Sequence, residues 1–235
     1  MHFIIIIIKD TDQNMYKLII FDLDGTLLDT LGDIANSTNY ALSQYNFPTH
    51  DTDQYCQFIG NGLVKLIERA LPADKRTDDI VSMVKNEFLK HYFVHAEELT
   101  KPYEGISGLL NTLRDMQYSL AIASNKTHPA TVSLAKRFFP GIIFTDVFGQ
   151  REGYPAKPNP GILNEIIANA GVNKSEVLYV GDSGVDVSTA KNAGVDFIGV
   201  LWGFRPQKEL EDLGASTFVK NCSELLIIIE QKKIR

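Results

Sequence analysis

Short apolar runs alternate with helix-patterned segments along most of the chain. The runs end abruptly at polar or glycine residues, as is typical of buried strands in a parallel sheet. They lie at Tyr16–Phe21, Ser119–Ala123, Ile142–Val147, Val177–Val180 and Phe197–Val200. Between them, Gly105–Met116 and Pro160–Ala170 carry apolar residues at helical spacing. This alternation predicts an α/β fold in which helices cover both faces of a parallel sheet.

The pattern changes between residues 30 and 100, where no strong strand signal occurs. Helical spacing is found instead at Leu31–Tyr45, Leu63–Leu71 and Ile80–Ala96. The last of these helices has a suitable N-cap region at Asp78–Asp79. We therefore expect an all-helical insert at 30–100, and an α/β core formed by 15–29 and 101–235.

The first residues form a separate feature. An apolar block at 3–8 is followed by a polar stretch at 9–14, and Met15 offers a second start before the first strand. The block lacks the basic start and cleavage site of a signal peptide, and it is too short to span a bilayer. We interpret 1–14 as a dispensable appendage, with an extra edge strand as the alternative. We expect a cytoplasmic protein that is not bound to a membrane.

Composition and charge exclude several classes of protein. The chain has 235 residues, 44% hydrophobic and 22% charged, which is ordinary for a globular protein and unlike a disordered one. The net charge of −6 lacks the basic excess of a non-specific nucleic-acid binder. Cys56 and Cys222 lie in no metal-ligand spacing, so we expect free thiols in a reducing compartment.

Four polar clusters follow the predicted strands, at the edge where open parallel sheets bind ligands. They are Asp22-Leu23-Asp24-Gly25-Thr26, Ser124-Asn125, Ala156-Lys157-Pro158-Asn159-Pro160 and Gly181-Asp182-Ser183-Gly184-Val185-Asp186. Two carboxylates as close as Asp22 and Asp24 indicate a bound cation or a shared proton. The acids of the last cluster suit Mg²⁺, which prefers carboxylate and phosphate oxygens. Taken alone, Ser124-Asn125 is more typical of a helix N-cap, and a lone lysine is usually solvated.

Together and in this order, the four clusters resemble the four motifs of the haloacid dehalogenase superfamily. The resemblance covers nearly all of residues 16–235 and implies a Rossmann-like core with the helical insert as its cap. It implies that Asp22 is a nucleophile forming an aspartyl-phosphate, and that Asp24 is the general acid and then the general base. Mg²⁺ would be held by the carboxylates of Asp22 and Asp182 and by the backbone carbonyl of Asp24. Asp186 would be either a further ligand or a residue that orients the ligands.

The same resemblance extends to the phosphate. It implies that Ser124 and Lys157 bind the transferring phosphoryl group, and Thr26 and Asn125 are further phosphate-binding candidates. Lys157 would also offset the negative charge around the nucleophile. Dehalogenases of the family lack an acid at the position of Asp24. Its presence favours phosphatases and phosphomutases, because an alkoxide leaving group must be protonated.

Finer similarity points to the phosphoglycolate phosphatase-like branch of the superfamily. It is found at Phe58–Leu71, Pro102–Ile106 and Gly199–Phe204. Within this resemblance we expect Gly60, Asn61 and Gly62 to contact the non-phosphate end of the substrate, although the tripeptide alone would indicate a turn. Arg69 would either bind a carboxylate or form a surface ion pair.

The sequence therefore predicts a Mg²⁺-dependent phosphomonoester phosphatase that acts on a small phosphorylated metabolite. The alternative enzyme is a β-phosphoglucomutase-like phosphomutase, which shares all four motifs. A non-catalytic phosphate-binding or regulatory protein would require a broken motif, and none is broken. We expect a monomer or weak homodimer that binds no nucleic acid.

Overall fold

The computed structural model describes residues 16–231 and contains two sheets. The strands are β1 (Leu18–Phe21), β2 (Leu28–Asp29), β3 (Lys101–Pro102), β4 (Ser119–Thr127), β5 (Asp146–Gln150), β6 (Val177–Gly181), β7 (Asp196–Val200) and β8 (Phe218–Val219). Six of them form one sheet in the order β5-β4-β1-β6-β7-β8. All its pairings are parallel, which confirms the predicted α/β fold class.

Ten α-helices occur in the described residues, with 3-10 helices at Thr52–Gln54, Ala73–Lys75 and Lys174–Glu176. The α-helices are α1 (Leu31–Ser43), α2 (Tyr55–Phe58), α3 (Leu63–Ala70), α4 (Asp78–His95), α5 (Ile106–Asp115), α6 (His128–Phe138), α7 (Gly161–Ala170), α8 (Gly184–Ala193), α9 (Gln207–Asp212) and α10 (Cys222–Glu230). No helix of this part of the chain is long and apolar enough to cross a membrane.

The sheet is built around β1, whose side chains are fully buried on both faces. Ile19 and Phe21 pack in a core that includes residues of α5 and α10, whereas Leu18 and Ile20 pack on the opposite face with residues of α7 and α8. β1 pairs with β4 on one side and β6 on the other. The carboxyl ends of these three strands therefore meet where the strand order reverses, which is where open α/β sheets bind ligands.

The strand predicted at Ile142–Val147 is wrong in its bounds, because the strand β5 runs from Asp146 to Gln150. Ile142 and Phe144 are half-buried loop residues packed against the core, and Ile143 between them is 89% exposed. The apolar run thus covers the core with alternate residues of a loop, and pairing with β4 begins only at Asp146.

Two predicted helix caps are also wrong. The N-cap of α4 is Thr77, whose side chain accepts a hydrogen bond from the Ile80 amide, and not Asp78–Asp79. Ser124-Asn125 is no N-cap, because β4 continues through it to Thr127 and α6 begins at His128. The register of β4 against β5 shifts between Ala123 and Thr127, so these polar residues lie in an irregular strand end.

Between β2 and β3 the described structure contains only helices, and we refer to residues 30–100 as the cap. The cap has its own hydrophobic core, formed by residues of α1 to α4. β2 and β3 pair antiparallel, so the two crossings to the rest of the chain run side by side. The buried Asp33 carboxylate accepts hydrogen bonds from the amides of Leu99 and Thr100 and from the Thr100 hydroxyl. The appendage predicted at 1–14 lies outside the described residues.

Candidate active site

Asp22 directly follows β1 and is held by the backbone of the sheet. Its amide donates to the Val180 carbonyl at 2.9 Å. Its Oδ1 atom accepts a hydrogen bond from the Leu23 amide at 2.7 Å and lies 3.0 Å from Lys157 Nζ. Within the described chain, Oδ2 accepts no hydrogen bond. The carboxylate is thus fixed through one oxygen, and the other is free to react.

Two glycines let the chain approach the next acid, Asp182. Gly25 follows Asp24 with φ +82°, and a Cβ atom there would clash with the Asp182 carboxylate. A Cβ atom on Gly203, in the loop after β7, would clash with the Asp182 side chain from another direction. Asp182 accepts a hydrogen bond on Oδ2 from the Phe204 amide at 2.7 Å. The carboxylate therefore lies in a space that side chains at 25 and 203 would close.

The oxygens of Asp22, Asp182 and Asp186 fit a metal site. All three acids are buried, and one oxygen of each lies within 4.8 Å of the others. Burial raises the pKa of Asp22 to about 7, and burial together with Asp186 raises the pKa of Asp182 well above its ordinary value. The Lys157 ammonium compensates only one of the three charges. A divalent cation would balance the others, and carboxylates are suitable ligands for such an ion.

The four contacts of Asp186 favour an orienting role over direct ligation. Its Oδ1 atom accepts from Lys157 Nζ at 2.8 Å and from the Tyr179 hydroxyl at 2.6 Å. Its Oδ2 atom accepts from the amide and hydroxyl of Ser183, at 3.2 and 2.6 Å. Metal ligation by Asp186 would have to displace one of these buried bonds, whereas Asp22 has an oxygen without one.

Lys157 is a buried residue and not a solvated lysine, since only 3% of it is exposed. Besides the two acids, its ammonium donates to the Ala123 carbonyl at 3.0 Å and to the Tyr179 hydroxyl at 2.8 Å. Burial alone would lower the pKa of Lys157, but Asp186 and Asp22 raise it above its ordinary value. The lysine is therefore charged where it touches the proposed nucleophile.

Asn125 positions the turn that carries Lys157. Its side-chain oxygen accepts from the Lys157 amide at 2.8 Å, and its side-chain nitrogen donates to the Lys157 and Gly60 carbonyls, both at 3.0 Å. The amide of Asn125 thus joins β4, the lysine turn and the cap. Its neighbour Ser124 lines the cavity beside Asp22, and the Ser124 hydroxyl oxygen accepts from the Lys126 amide at 3.2 Å.

Thr26 is placed against the metal-site acids. Its hydroxyl donates to Asp182 Oδ1 at 3.5 Å, and its carbonyl accepts from the Trp202 indole at 3.0 Å. It is not among the described residues that line the cavity. Of the residues predicted to bind phosphate, Ser124 and Asn125 line the cavity, whereas Thr26 supports Asp182.

Asp24 is paired with Lys126, a residue outside the four predicted motifs. Lys126 Nζ lies 3.0 Å from Asp24 Oδ1, which also accepts from the Thr30 hydroxyl at 2.8 Å. Burial alone would lower the pKa of Lys126, but the facing Asp24 carboxylate raises it above its ordinary value. The available signal was the position of Lys126, two residues beyond Ser124 on the same strand.

The cap loop closes one side of the cavity. Gly60 and Gly62 line it, with φ of +112° and +85°. Asn61 instead accepts a hydrogen bond from Arg69 at 2.7 Å, and Arg69 also donates to the Phe58 carbonyl at 2.9 Å. No ion pair of Arg69 is found among the described residues, and its guanidinium instead organises the loop. Gly60 and Gly62 therefore face the substrate space more directly than Asn61 does.

Arg205 and Tyr92 also contribute to the cavity and were missed. Arg205 follows β7 and donates to Gln57 Oε1 at 2.7 Å and to the Ile59 carbonyl at 2.9 Å, so it fastens the cap loop. Tyr92 lies on α4 of the cap. Arg205 directly follows Gly199–Phe204, one of the segments that are similar to phosphoglycolate phosphatases, so its position could have been noticed. Tyr92 has the pattern of an ordinary buried helix residue, and nothing in the sequence marks it as part of a site.

Comparison with known proteins agrees with this geometry. The family model of haloacid dehalogenase-like hydrolases matches residues 19–200. A phosphoglycolate phosphatase from Mesorhizobium japonicum is 31% identical over 93% of this chain and 96% of its own length. One from Mannheimia succiniciproducens is 29% identical over 92% and 100%. The structure of a candidate phosphoglycolate phosphatase from Lactobacillus delbrueckii subsp. bulgaricus superimposes with a TM-score of 0.84 at 32% identity, covering 90% of this chain and 97% of that one.

Proposed function

The chain belongs to the haloacid dehalogenase-like hydrolases as a phosphatase, and we propose that it hydrolyses a small phosphomonoester through an aspartyl-phosphate on Asp22. One observation carries this proposal. Asp22 has one oxygen fixed by the Leu23 amide and Lys157, while the other has no hydrogen bond within the described chain. A nucleophile held in this way is oriented before the substrate arrives.

In the first half-reaction, Asp22 Oδ2 attacks phosphorus and the bond from phosphorus to the ester oxygen breaks. Asp24, two residues further on, gives its proton to the leaving alcohol. Ser124 and Lys157 bind the phosphoryl oxygens, and the Lys157 charge offsets the negative charge gathered there. In the second half-reaction, Asp24 takes a proton from water, which attacks the phosphoryl group and restores the Asp22 carboxylate.

Mg²⁺ is the proposed cofactor. The carboxylates of Asp22 and Asp182 and the backbone carbonyl of Asp24 would hold it, while Asp186 orients Lys157 through the 2.8 Å contact. When bound there, the ion would supply positive charge that offsets the charge of the phosphoryl oxygens and of the Asp22 carboxylate. Gly25 and Gly203 keep the space beside Asp182 open.

The proposed substrate is 2-phosphoglycolate or a similar small acidic ester. Two curated relatives that align over nearly their whole length carry the name phosphoglycolate phosphatase. The cationic residues Lys126 and Arg205 line the cavity, which suits an anionic alcohol group. We also propose that the cap moves on its two crossings at β2 and β3 to admit substrate and release product.

We further propose that the enzyme works in the cytoplasm. Both cysteines, Cys56 and Cys222, are free thiols in the structure. Free thiols are what a reducing compartment maintains.

A substrate panel tests the proposed function. Phosphate release is measured with Mg²⁺ for 2-phosphoglycolate, other small esters and β-glucose 1-phosphate, and kcat/KM values are compared. We expect 2-phosphoglycolate to give the highest value. Net conversion of the sugar phosphate into its isomer would instead support the phosphomutase alternative. Absence of phosphate release from every ester would contradict the proposal.

A further inference from the structure

Tyr92 carries a buried hydroxyl group that donates to no acceptor among the residues that the structure describes. Only 4% of this residue is exposed, and it lines the cavity between the cap and the sheet edge. The hydroxyl oxygen faces the Lys126 ammonium, which can only donate to it, so the O–H proton of Tyr92 is left without an acceptor among the described residues. A buried donor without an acceptor lowers the stability of the folded protein. A bound ligand could supply the acceptor that the Tyr92 hydroxyl lacks.

Packing explains the ring of Tyr92 but not its hydroxyl. The ring stacks on Phe88, with centroids 5.1 Å apart, and belongs to the hydrophobic core of the cap. Lys126 Nζ lies 4.6 Å from the centroid of the Tyr92 ring, a cation–π contact that phenylalanine would also make. Phenylalanine would therefore fill the position without burying a donor that lacks an acceptor.

The surroundings of Tyr92 indicate what the hydroxyl binds. Lys126 donates to both oxygens of Asp24, at 3.0 and 3.3 Å, and an ammonium has three N–H donors. Asp24 is the residue proposed to meet the ester oxygen. Because Lys126 contacts Asp24 and lies against the Tyr92 ring, the remainder of an alcohol bound at Asp24 would lie near these two residues. Burial raises the pKa of Tyr92 to about 12, so the phenol keeps its proton and donates.

We propose that the Tyr92 hydroxyl and the Lys126 ammonium together bind a carboxylate on the alcohol part of the phosphate ester. A carboxylate accepts hydrogen bonds from both donors and replaces water around the cation. Tyr92 is then a specificity-determining residue contributed by the cap. This inference rests on the proposed phosphatase function and adds the residues that recognise the acidic group of its substrate.

The test compares two esters that differ at one group, 2-phosphoglycolate and 2-hydroxyethyl phosphate, in the full-length protein with Mg²⁺. Tyr92→Phe should lower the ratio of their kcat/KM values by about tenfold, because a hydrogen bond to a charged group is lost. The loss should fall mainly on the KM for 2-phosphoglycolate. The melting temperature of the Tyr92→Phe variant should not fall, because the hydroxyl that is removed donates to no acceptor in the folded protein.

Tyr40→Phe is the matched control, because Tyr40 lies on α1 of the cap and is 39% exposed. This control should keep the wild-type ratio. Lys126→Gln should lower the ratio in the same direction as Tyr92→Phe, and it replaces that variant if Tyr92→Phe does not fold. An unchanged ratio in both would overturn the inference and leave the phosphatase proposal intact. A wild-type protein that hydrolyses other esters but does not prefer the carboxylate ester would do the same. Hydrolysis of no ester at all would overturn both proposals.

Discussion

The sheet edge and the cap meet at one cavity but are built in different ways. At the sheet edge, Asp186 has four hydrogen bonds and Lys157 touches four oxygen-bearing groups. On the cap side, the lining includes glycines and apolar residues of α3 and α4, together with the Tyr92 hydroxyl, which donates to no acceptor among the described residues. Chemistry needs fixed geometry, whereas selection needs space and a few polar anchors. The difference supports the proposal that the sheet edge performs the reaction and that the cap selects the substrate.

The physical reason lies in how each region is attached. Acids at the ends of parallel strands are placed by the ladder of the sheet, and buried charges are tolerated only when they are paired. The cap loop instead meets the sheet edge through separate contacts, in which Asn125 donates to the Gly60 carbonyl and Arg205 to the Ile59 carbonyl. Ala130 and Phe204 add an apolar contact against the cap core. Because these contacts are few and lie outside the sheet ladder, they are consistent with the cap movement proposed above.

The largest effect should come from Asp22→Asn, which tests the chemical side of this comparison. An amide does not act as the nucleophile, so kcat should fall by roughly 10⁴-fold or more. The fold should persist, because a buried acid whose pKa is raised to about 7 is replaced by a neutral group. Phosphate release and thermal unfolding measure the two outcomes.

Asp115→Asn on α5 is the control for Asp22→Asn, because Asp115 is an exposed partner of Arg114. It should keep wild-type activity. Substantial turnover by Asp22→Asn would refute the covalent mechanism.

Asp24→Asn should have the next largest effect. Loss of a general acid and base typically costs about 10²- to 10⁴-fold. Because one residue is proposed to serve both half-reactions, phosphorylation and dephosphorylation should both slow. Rapid-quench experiments measure the rate of each step. If only one step is slowed, a second group must act as the acid or base in the other step.

Mg²⁺ affinity should depend on pH in a defined direction. Burial raises the pKa of Asp22 to about 7, so below that pH a cation that binds to this carboxylate must displace a proton. The affinity should therefore fall by about tenfold per pH unit on acidification below about pH 7, and more steeply if Asp182 also carries a proton. Calorimetric titration at about pH 6 and about pH 8 measures this slope.

Removal of the metal gives a second check on the same site. EDTA should abolish activity, and added Mg²⁺ should restore it. A pH-independent Mg²⁺ affinity would show that the acids are not the ligands. Full activity in EDTA would remove the metal from the mechanism.

The smallest effect should come from Arg69→Ala, which tests the cap side. This variant releases Asn61 and the Phe58 carbonyl, so the loop at Gly60 loses its support. We expect KM to rise by roughly three- to tenfold, with a smaller change in kcat, because binding is affected more than chemistry. Arg76→Ala is the control, since Arg76 also donates to a cap carbonyl, that of Leu71, but does not line the cavity. A fall in kcat with an unchanged KM would show that the loop supports the chemical step and not substrate binding.

The sequence alone determined the fold class, the two segments of the chain and the acids at the strand ends. Asp22 and Asp182 were predictable because each follows an apolar run, and strand ends of a parallel sheet share one edge. The strand at β5 was misplaced because an apolar loop carries the same pattern as a strand. Thr77 was missed as an N-cap because two acids beside it offer an equally good local signal.

Only the tertiary structure decided the pairings that give these residues their roles. Lys126 became the partner of Asp24, Asp186 the support of Lys157, and Arg69 the organiser of the cap loop. Tyr92 shows the limit most clearly, because a tyrosine on the apolar face of a helix reads as core. Whether its hydroxyl is paired depends on side chains from distant segments, and local patterns contain no information about such contacts. Short-range periodicity therefore determines elements, while long-range packing determines which polar atoms find partners and which are left for a substrate.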